Sequence, residues 1–524
     1  MQLQQLEQND DMKYVLQLIE KHGGIDRLGK LFSTGQNNYL YDSGTGKVIC
    51  LDANGYSIFK WLFGENQSHD DIFSLIGSGD LDYALHSVRE IIEQENLLQM
   101  PIITEFISVD HKERLAEVLD TELRMITLEV TEKCNLRCKY CIYNDDFEGE
   151  RDFASCEMTY ETAEAAINML VEHSGPVVGV TFYGGEPLLR FDLIRHAVEY
   201  AQKQLSHKEL VFSITTNATM LTKEMAAFFA SIKGFGVLCS IDGPEYIHNQ
   251  YRTYQHGGGS FHDALRGLKY LYEAYGAENF QINVGVSMVF TPPHTSQRIQ
   301  DIQNFFDGLE WLPKNFRKVV SYPEPGSIDD ITIQKNSVLS KASLGNKDDD
   351  KEVHLIEWTI NEDKKGRSAS NLFTAKMSDD LLLIAHNRSL LNVPQQPSGL
   401  NGCCVPGNRR LYVCANGDIK ICEKMGLCPP MGNVYSGLDL EQIKKIYVQE
   451  YEEKSIQECN NCWAFRLCGV CYIKTYKVDG LDEKKKKLVC EDAKAKALNA
   501  LEYYHAMLEI DPEKLMYLND IKIT

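Results

Sequence analysis

Cysteine distribution constrains this chain more than any other sequence feature. The 524 residues include 16 cysteines, of which three lie within 134–141 and ten lie between Cys403 and Cys490. In a reducing compartment, a set of this size predicts metal binding rather than disulfide bonds. The three isolated cysteines are predicted to be small buried hydrophobic residues, namely Cys50, Cys156 and Cys239. The sequence therefore predicts two metal-binding regions.

Length and charge set the broad class. A chain of this length is expected to form about two to four domains. It is 43% hydrophobic but contains no apolar run as long as a membrane span, so no membrane association is expected. Residues 1–24 lack the basic and apolar segments of a secretory signal, which predicts a cytoplasmic location. The net charge of −21 disfavours nucleic acid as a partner, and the basic run at 484–487 is interpreted as a solvated helix face.

A small module is predicted at about 36–100, within an N-terminal region of 1–108. The strand-like runs NYLYDS and KVICL are joined by a turn at 44–46, and three helical patterns follow. Ser68 with Asp71 is typical of a helix N-terminus in the second of them. This winged-helix-like order, with the segment LDANG at 51–55, resembles the PqqD-like peptide-recognition domain. The resemblance implies that the module binds the leader of a precursor peptide, and a helical cap without that role is the alternative.

From Arg124 onward, strand-like and helical patterns alternate. The strand-like runs are ITLEV, VVGVTFY, LVFSITT, GVLCSI and INVGVSMVF. Helices are predicted at Thr159–His173, Leu193–Leu205, Lys223–Ala230 and Phe261–Tyr275. This order predicts an α/β fold with a parallel β/α core at 118–310. The polar stretch at 311–400 is interpreted as a connector.

Polar motifs follow the first four strand-like runs. They are Cys134, GGEP at 184–187, TTN at 215–217 and SIDGP at 240–244. In β/α barrels the loops after the strands form the active site, so these motifs are predicted to converge on one site.

The first cysteine group has the spacing Cys134-x3-Cys138-x2-Cys141. Three thiolates at this spacing can bind three irons of a cubane cluster and leave the fourth iron without a protein ligand. The segment TEKCNLRCKYC resembles the signature of the radical S-adenosylmethionine (SAM) superfamily, and FYGGEPLL resembles its glycine-rich motif. The resemblance implies a partial (β/α)6 TIM-type barrel, a catalytic [4Fe-4S] cluster on these three cysteines, and SAM as cofactor.

The same resemblance implies how SAM is bound. Gly184 and Gly185 permit close backbone approach, and Glu186 accepts from the methionyl ammonium. Ser240 fits a ribose hydroxyl, and Arg252 fits the carboxylate. Further implied SAM-binding residues are Tyr140, Pro187, Asn217 and Asp242. The family often has His-Asp before the arginine, whereas here Asn249 follows His248, so His248 has no assigned role and a structural one is favoured.

The late cysteines have a spacing of their own. Cys404, Gly417 and Cys422 precede the run Cys459-x2-Cys462-x5-Cys468-x2-Cys471, and Cys490 follows it. This pattern, within 401–524, resembles the SPASM domain of radical SAM peptide maturases, although the last step of the run is one residue shorter than usual. The resemblance implies two auxiliary [4Fe-4S] clusters and so three in all. A zinc ribbon is the alternative.

Ligands are carried over from the resemblance position by position. Auxiliary cluster I is expected to use Cys404, Cys422 and Cys471, and auxiliary cluster II is expected to use Cys459, Cys462, Cys468 and Cys490. The fourth ligand of cluster I stays open among Cys403, Cys414, Cys428 and an iron that accepts a substrate thiolate.

Together the resemblances imply a radical SAM peptide maturase that works with a flavodoxin-type or ferredoxin-type reductant. Thioether formation, as in sactipeptide and ranthipeptide synthases, is the leading hypothesis. Carbon–carbon crosslinking and anaerobic sulfatase (formylglycine) maturation are the alternatives. The N-terminal module favours a short precursor, and Glu423 stands after Cys422 where sulfatase maturases typically have aspartate. A non-catalytic scaffold is disfavoured because the glycine-rich motif, Ser240 and Arg252 are all present.

Overall fold

The computed structural model describes residues 9–64, 80–141, 143, 153–323 and 372–521. The predicted helix start at Ser68 and Asp71 lies outside these residues. The charged segments at 347–352 and 361–367 of the predicted connector lie outside them as well.

The N-terminal unit contains an antiparallel sheet of order β1-β2-β3. Its strands are β1 (Gly29–Ser33), β2 (Asn38–Asp42) and β3 (Val48–Leu51). The β2–β3 hairpin is the predicted one, whereas β1 begins ahead of the expected start at 36, because its short sequence GKLFS gives no period-2 signal. Cys50 is exposed, which corrects the expectation of a buried residue, since alternate side chains of an edge strand face outward.

Helices Asp10–Lys21, Ile25–Leu28, Ala53–Leu62 and Leu81–Glu95 accompany this sheet. Asp52 caps the third of them by accepting from the Gly55 N–H at 2.7 Å. Leu85, Val88 and Ile92 are buried on one face of the fourth, as their spacing predicts.

Among the described residues, ten strands form one sheet of order β13-β12-β11-β10-β4-β5-β6-β7-β8-β9. The parallel part comprises β4 (Leu123–Thr131), β5 (Ser174–Gly184), β6 (Glu209–Thr216), β7 (Gly236–Ser240), β8 (Val284–Val289) and β9 (Arg317–Ser321). β10 (Arg410–Val413) pairs in parallel with β4, and an antiparallel meander follows through β11 (Asp418–Lys420), β12 (Gly432–Asn433) and β13 (Gly437–Leu438). The predicted α/β class and parallel core are confirmed.

The sixth parallel strand, β9, lies within the expected connector, so the core extends past residue 310. Its five residues include Arg317 and Lys318, which leave too short an apolar run to predict a strand. The connector region also contains the helix Leu372–His386, which packs along the long helix Glu483–Ile510.

The four predicted core helices are confirmed. They span Tyr160–His173, Phe191–Gln204, Lys223–Ser231 and Phe261–Asn283, and the last is interrupted at Gly276, next to its predicted end. Further core helices are Leu115–Thr121, Glu245–Tyr251 and Ser296–Asp307, with a 3₁₀ turn at Pro187–Arg190.

The C-terminal region is mostly helical. It contains Leu440–Ile443, a π-helical turn Lys444–Gln449, Glu450–Asn460, Tyr472–Thr475, Glu483–Ile510, and 3₁₀ turns Phe465–Leu467 and Pro512–Asp520. A two-stranded ladder joins β14 (Tyr476–Lys477) to β15 (Gly480–Leu481). Within the described part of the chain, no helix combines the length and the apolar character needed to cross a membrane.

Candidate active site

The loop after β4 and the glycine-rich loop after β5 are in direct backbone contact. The Gly185 N–H donates to Thr131 O at 2.8 Å, and the Glu186 N–H donates to Lys133 O at 2.8 Å. A Cβ on Gly185 would lie 2.2 Å from Lys133 O, and Gly184 has φ +134°. Both glycines are therefore required for the loop that carries Cys134 to approach this closely.

Glu186 is fully buried and joins the loops after β5 and β6. Its carboxylate accepts from Thr216 Oγ1 at 2.6 Å, from the Asn217 N–H at 2.8 Å and from the Leu188 N–H at 3.0 Å. Burial raises the pKa of this carboxyl, although these hydrogen bonds oppose the shift. A carboxylate accepts about four hydrogen bonds, so one acceptor position remains for a ligand ammonium.

Asn217 extends the same network toward the cysteine loop. Its Nδ2 donates to Asn135 Oδ1 at 2.8 Å, and Asn135 Nδ2 in turn donates to Thr219 Oγ1 at 2.9 Å. Pro187 is buried and begins the 3₁₀ turn, and Ser240 ends β7 beside Ser287 of β8. The structure thus brings three of the predicted polar motifs to one rim of the sheet.

A buried triad lies at the fourth motif. Arg252 forms a two-point ion pair with Asp242, with Nε to Oδ2 at 2.8 Å and Nη2 to Oδ1 at 3.1 Å. The Tyr140 hydroxyl donates to the same Asp242 Oδ2 at 2.8 Å, and the guanidinium lies over the Tyr140 ring. Although burial opposes it, Arg252 lowers the pKa of Asp242. Arg252, expected on the SAM carboxylate, is thus already held by protein groups, because the buried Asp242 carboxylate needs a counter-charge.

His248 holds this triad in place. Its Nδ1 accepts the Asp242 N–H at 3.3 Å, and its Nε2 lies 3.0 Å from Ser260 Oγ, which donates to Arg252 O at 2.9 Å. Since Nδ1 is the acceptor, Nε2 carries the proton and donates to Ser260. Burial lowers the pKa of His248 to about 4. The histidine is therefore neutral and structural, as the sequence favoured.

The three rim cysteines lie close enough for their charges to interact. The Leu136 N–H donates to Cys134 Sγ at 3.4 Å, and the Arg252 side chain hydrogen-bonds the Cys138 thiol. Burial raises the pKa of Cys134 and of Cys138 to about 12. Without a metal these thiols are protonated, so metal binding there must release protons.

The late cysteines separate into two groups in space. Charge interactions connect one group, and a second group lines a cavity of about 430 Å³. The first group, set I, comprises Cys404, Cys422 and Cys471. The second group, set II, comprises Cys459, Cys462, Cys468 and Cys490. These are the two groups that the SPASM resemblance implied.

The three spare cysteines have different surroundings. Cys403 is buried beside the Tyr451 hydroxyl and interacts with Cys404, Cys468 and Cys471, so it lies between the two sets. Cys414 sits in the β10–β11 turn with its N–H on Asp418 O, and Cys428 is buried with its N–H on Met425 O. Of the three, Cys403 has the surroundings of a fourth ligand for set I.

Backbone N–H groups point at the sulfurs of at least five of the ten predicted ligands. At each of the five, a donor belongs to the residue two positions further along the chain: Leu136, Lys424, Ala464, Val470 and Ile473. Such donors stabilise thiolate charge in iron–sulfur sites. Cys239, which is isolated and fully buried, is the comparison for these ligands: its pKa is raised by burial and by the charge of Glu186. The donor sets at the rim and in both late groups therefore fit thiolate-ligated clusters.

Within the described ranges, no three Cys, His, Asp or Glu side chains converge on one metal-ion position.

Two buried charged residues near the predicted sites were missed from the sequence. Glu129 is buried on β4 and accepts from the Tyr412 hydroxyl at 2.8 Å and from the Ala415 N–H at 3.2 Å, which joins the core to β10. A glutamate inside the apolar run ITLEV was the available signal, because a buried carboxylate needs partners. Lys486 is buried although the run 484–487 was interpreted as solvated, because helical periodicity places it on the face of Cys490, four residues on.

Comparison with known proteins agrees with this site. Residues 128–306 match the model of the Radical SAM superfamily. A cysteine-type anaerobic sulfatase-maturating enzyme of Clostridium novyi is 25% identical over 354 residues, covering 66% of this chain and 86% of that protein. An uncharacterized protein of Methanocaldococcus jannaschii is 32% identical over 169 residues, which cover 32% of this chain and 54% of that protein.

A solved structure has a similar fold. The structure of native anSMEcpe with bound AdoMet has a TM-score of 0.50 and 19% identity, covering 76% of this chain and all of that one (100%). Residues 128–306 thus form a radical SAM domain, homologous to that of anaerobic sulfatase-maturating enzymes, and this family implies SAM and a [4Fe-4S] cluster.

Proposed function

We propose that this chain is a radical SAM maturase of a ribosomally synthesised precursor peptide, in which it forms a cysteine thioether crosslink. The observation that carries the proposal is the open edge of the N-terminal sheet, which is docked beside the cysteines of set II. A short peptide can add to such an edge as a further strand.

The proposed cofactors are SAM with a [4Fe-4S] cluster on Cys134, Cys138 and Cys141, and auxiliary clusters on sets I and II. With SAM bound, the cluster that Cys134, Cys138 and Cys141 would hold would supply removal of a hydrogen atom from an unactivated carbon. Crosslinking breaks one S–H and one C–H bond and forms one S–C bond. One hydrogen leaves as an atom and the other as a proton plus an electron, and an auxiliary cluster is the proposed electron acceptor.

The pairing of β3 shows which backbone groups are available to a peptide. Asp42 N donates to Lys47 O at 2.9 Å, and antiparallel pairs alternate between bonded and non-bonded along the ladder. In the observed register Ile49 and Leu51 therefore bond to β2, whereas the backbone of Val48 and Cys50 faces outward. Within the described residues, β3 has no strand on that outer side.

The N-terminal sheet is fixed to the segment that carries set II. Arg466, between Cys462 and Cys468 in the chain, donates to Ser43 O at 2.7 Å and to Gly44 O at 2.8 Å. Ser43 Oγ donates to Trp463 O at 2.8 Å. Deleting the N-terminal module would therefore disturb set II, so a point substitution is the cleaner test of peptide recognition.

Cys50→Pro removes one outward N–H without touching the bonds to β2, and Cys50→Ala is its matched control. We expect Cys50→Pro to weaken binding of the precursor leader at least about tenfold while uncoupled SAM cleavage is unchanged, because one edge hydrogen bond and its neighbours are lost. Equal leader affinity in both variants would contradict the recognition role.

The product distinguishes the chemistries. A thioether lowers the precursor mass by about 2 Da per ring, and the bridged cysteine no longer reacts with alkylating reagents. A carbon–carbon crosslink gives the same mass change with every cysteine still labelled, so alkylation before mass spectrometry separates the two. Two hydrogens lost with full labelling would reject the thioether.

Anaerobic sulfatase maturation is the second candidate, and the Clostridium novyi relative favours it. Glu423 occupies the position after Cys422 and is paired with Arg410 at 3.1 Å. Oxidation of a cysteine to formylglycine removes its sulfur and leaves an aldehyde, so incubation with a sulfatase-derived peptide followed by carbonyl labelling tests this candidate. A labelled product would favour it over peptide crosslinking.

A further inference from the structure

The side chain of Lys486 is buried among the cysteines of set II. The residue is 1% exposed, and its Nζ lies 3.9 Å from Cys459 Sγ and 3.8 Å from Cys490 Sγ. Lys486 and Cys490 are four residues apart on the helix Glu483–Ile510, so they share one face of that helix. Both distances are within hydrogen-bonding range for sulfur.

Burial makes this placement costly unless anions surround the charge. An isolated buried ammonium loses its hydration, and the loss is offset only by close negative groups. Glu458 lies 3.6 Å from Nζ, but its side chain is 44% exposed and is therefore screened by water. The buried partners of Lys486 are the two sulfurs, and thiolates supply the negative charge that neutral thiols lack.

The two late sets differ in this respect. Lys494, one turn beyond Cys490, also lines the set II cavity and interacts with Cys462 and Cys490. In set I, Cys471 has Lys474 as a charge neighbour, and Cys422 has Glu423. Set II thus has a buried cation in contact with its sulfurs. Set I has one positive and one negative neighbour, Lys474 and Glu423.

We propose that Lys486 is a positioning residue that donates hydrogen bonds to two thiolate ligands of the set II cluster and raises its reduction potential. This inference rests on the proposed cluster at set II. Reduction adds negative charge to a cluster, and a cation or hydrogen-bond donor at its sulfurs stabilises the reduced form. Set II is then the more readily reduced of the two auxiliary centres, which suits it to accept the electron from the substrate.

The test is a redox titration of the auxiliary centres, in which electron paramagnetic resonance detects the reduced clusters. The background is the full chain with Cys134, Cys138 and Cys141 replaced by Ala, so that the rim cluster does not contribute. Lys486→Met removes the charge and the donor, Lys486→Gln keeps a donor, and Lys486→Arg keeps both. Lys484→Met removes the same charge from an exposed position on the same helix and is the control.

For Lys486→Met we expect one of the two signals to move, with its reduced-to-oxidised ratio at fixed potential falling at least about tenfold, or 59 mV for one electron. Lys486→Gln should shift part of the way, and Lys486→Arg and Lys484→Met should leave both signals in place. An intact cluster with unmoved potential in Lys486→Met and Lys486→Gln, or an equal shift in Lys484→Met, would overturn the inference alone. Absence of a second auxiliary signal in the parent protein would overturn the cluster assignment as well.

Discussion

The rim cysteines and set II are two thiol sites that differ in the number of cysteines and in the charge of the neighbouring side chains. The rim site has three cysteines, and Glu186 from the loop after β5 is a charge neighbour of one of them, Cys134. Set II has four cysteines around a cavity whose lining includes Lys486 and Lys494. Three cysteines leave one iron of a cubane without a protein ligand, which suits the rim site to binding a cofactor. Four cysteines can ligate every iron, which suits set II to electron transfer alone.

The immediate electrostatics differ in the same way. At the rim, the Arg252 guanidinium that hydrogen-bonds the Cys138 thiol is neutralised by Asp242 at 2.8 Å. In set II, the ammonium of Lys486 contacts the sulfurs directly. The number of cysteines and the neighbouring charge, rather than cysteine spacing alone, thus distinguish the two sites.

Removing the rim thiols should have the largest effect. We expect replacement of Cys134, Cys138 and Cys141 by Ala to abolish SAM cleavage, because the open iron is lost, while the visible spectrum of the late clusters remains. Cleavage is measured as 5′-deoxyadenosine by chromatography. Retained cleavage would mean that set I or set II binds SAM, and the comparison would fail.

Gly185→Ala should damage the rim without touching set II. The new Cβ would lie 2.2 Å from Lys133 O, so the loop carrying Cys134 must shift, at a cost of about 1–3 kcal/mol in unfolding free energy. We expect SAM affinity, measured by equilibrium dialysis, to fall at least about tenfold. Gly175→Ala, at the start of the preceding strand β5, meets no atom within 4 Å and is the control. Unchanged affinity in Gly185→Ala would show that the close approach is unnecessary.

Because of His248, the stability of the folded protein should fall at acid pH. Its pKa is lowered to about 4 by burial, below the ordinary value of 6.5, so the folded state binds fewer protons than the unfolded state in this window. Stability is therefore present above pH 6.5 and is lost as the pH falls toward 4, by about 2 kcal/mol between pH 7 and 5. Denaturant midpoints at both pH values should differ less in His248→Gln. An equal pH dependence in the variant would contradict this role.

The sequence predicted much of the rim because local rules apply there. Strand periodicity located five of the six core strands, and the polar motifs at their ends mark where parallel strands terminate. β9 was missed because Arg317 and Lys318 occupy a five-residue edge strand. The pairing of Arg252 with Asp242 was not predicted, because it depends on how two loops meet, which no local pattern encodes.

In the late region, the spatial grouping of the cysteines was predictable, whereas the side chains that surround them were less so. The grouping of the late cysteines came from the SPASM resemblance and not from chain spacing, since Cys471 closely follows Cys468 in the chain but groups in space with Cys404 and Cys422. The burial of Lys486 was missed because four consecutive lysines are typical of a solvated face, and only the helix phase relative to Cys490 reverses that expectation. The strand β10, which joins this region to the core through Glu129, is short and has no signal of its own pairing.

The iron content of anaerobically reconstituted protein tests the central claim most directly. With three proposed clusters we expect about 12 irons and as many sulfides per chain, falling to about 8 when the three rim cysteines are replaced by Ala. Zinc should be absent from both proteins when they are measured by plasma mass spectrometry. A chain that holds about 4 irons with zinc in its C-terminal half would contradict the account.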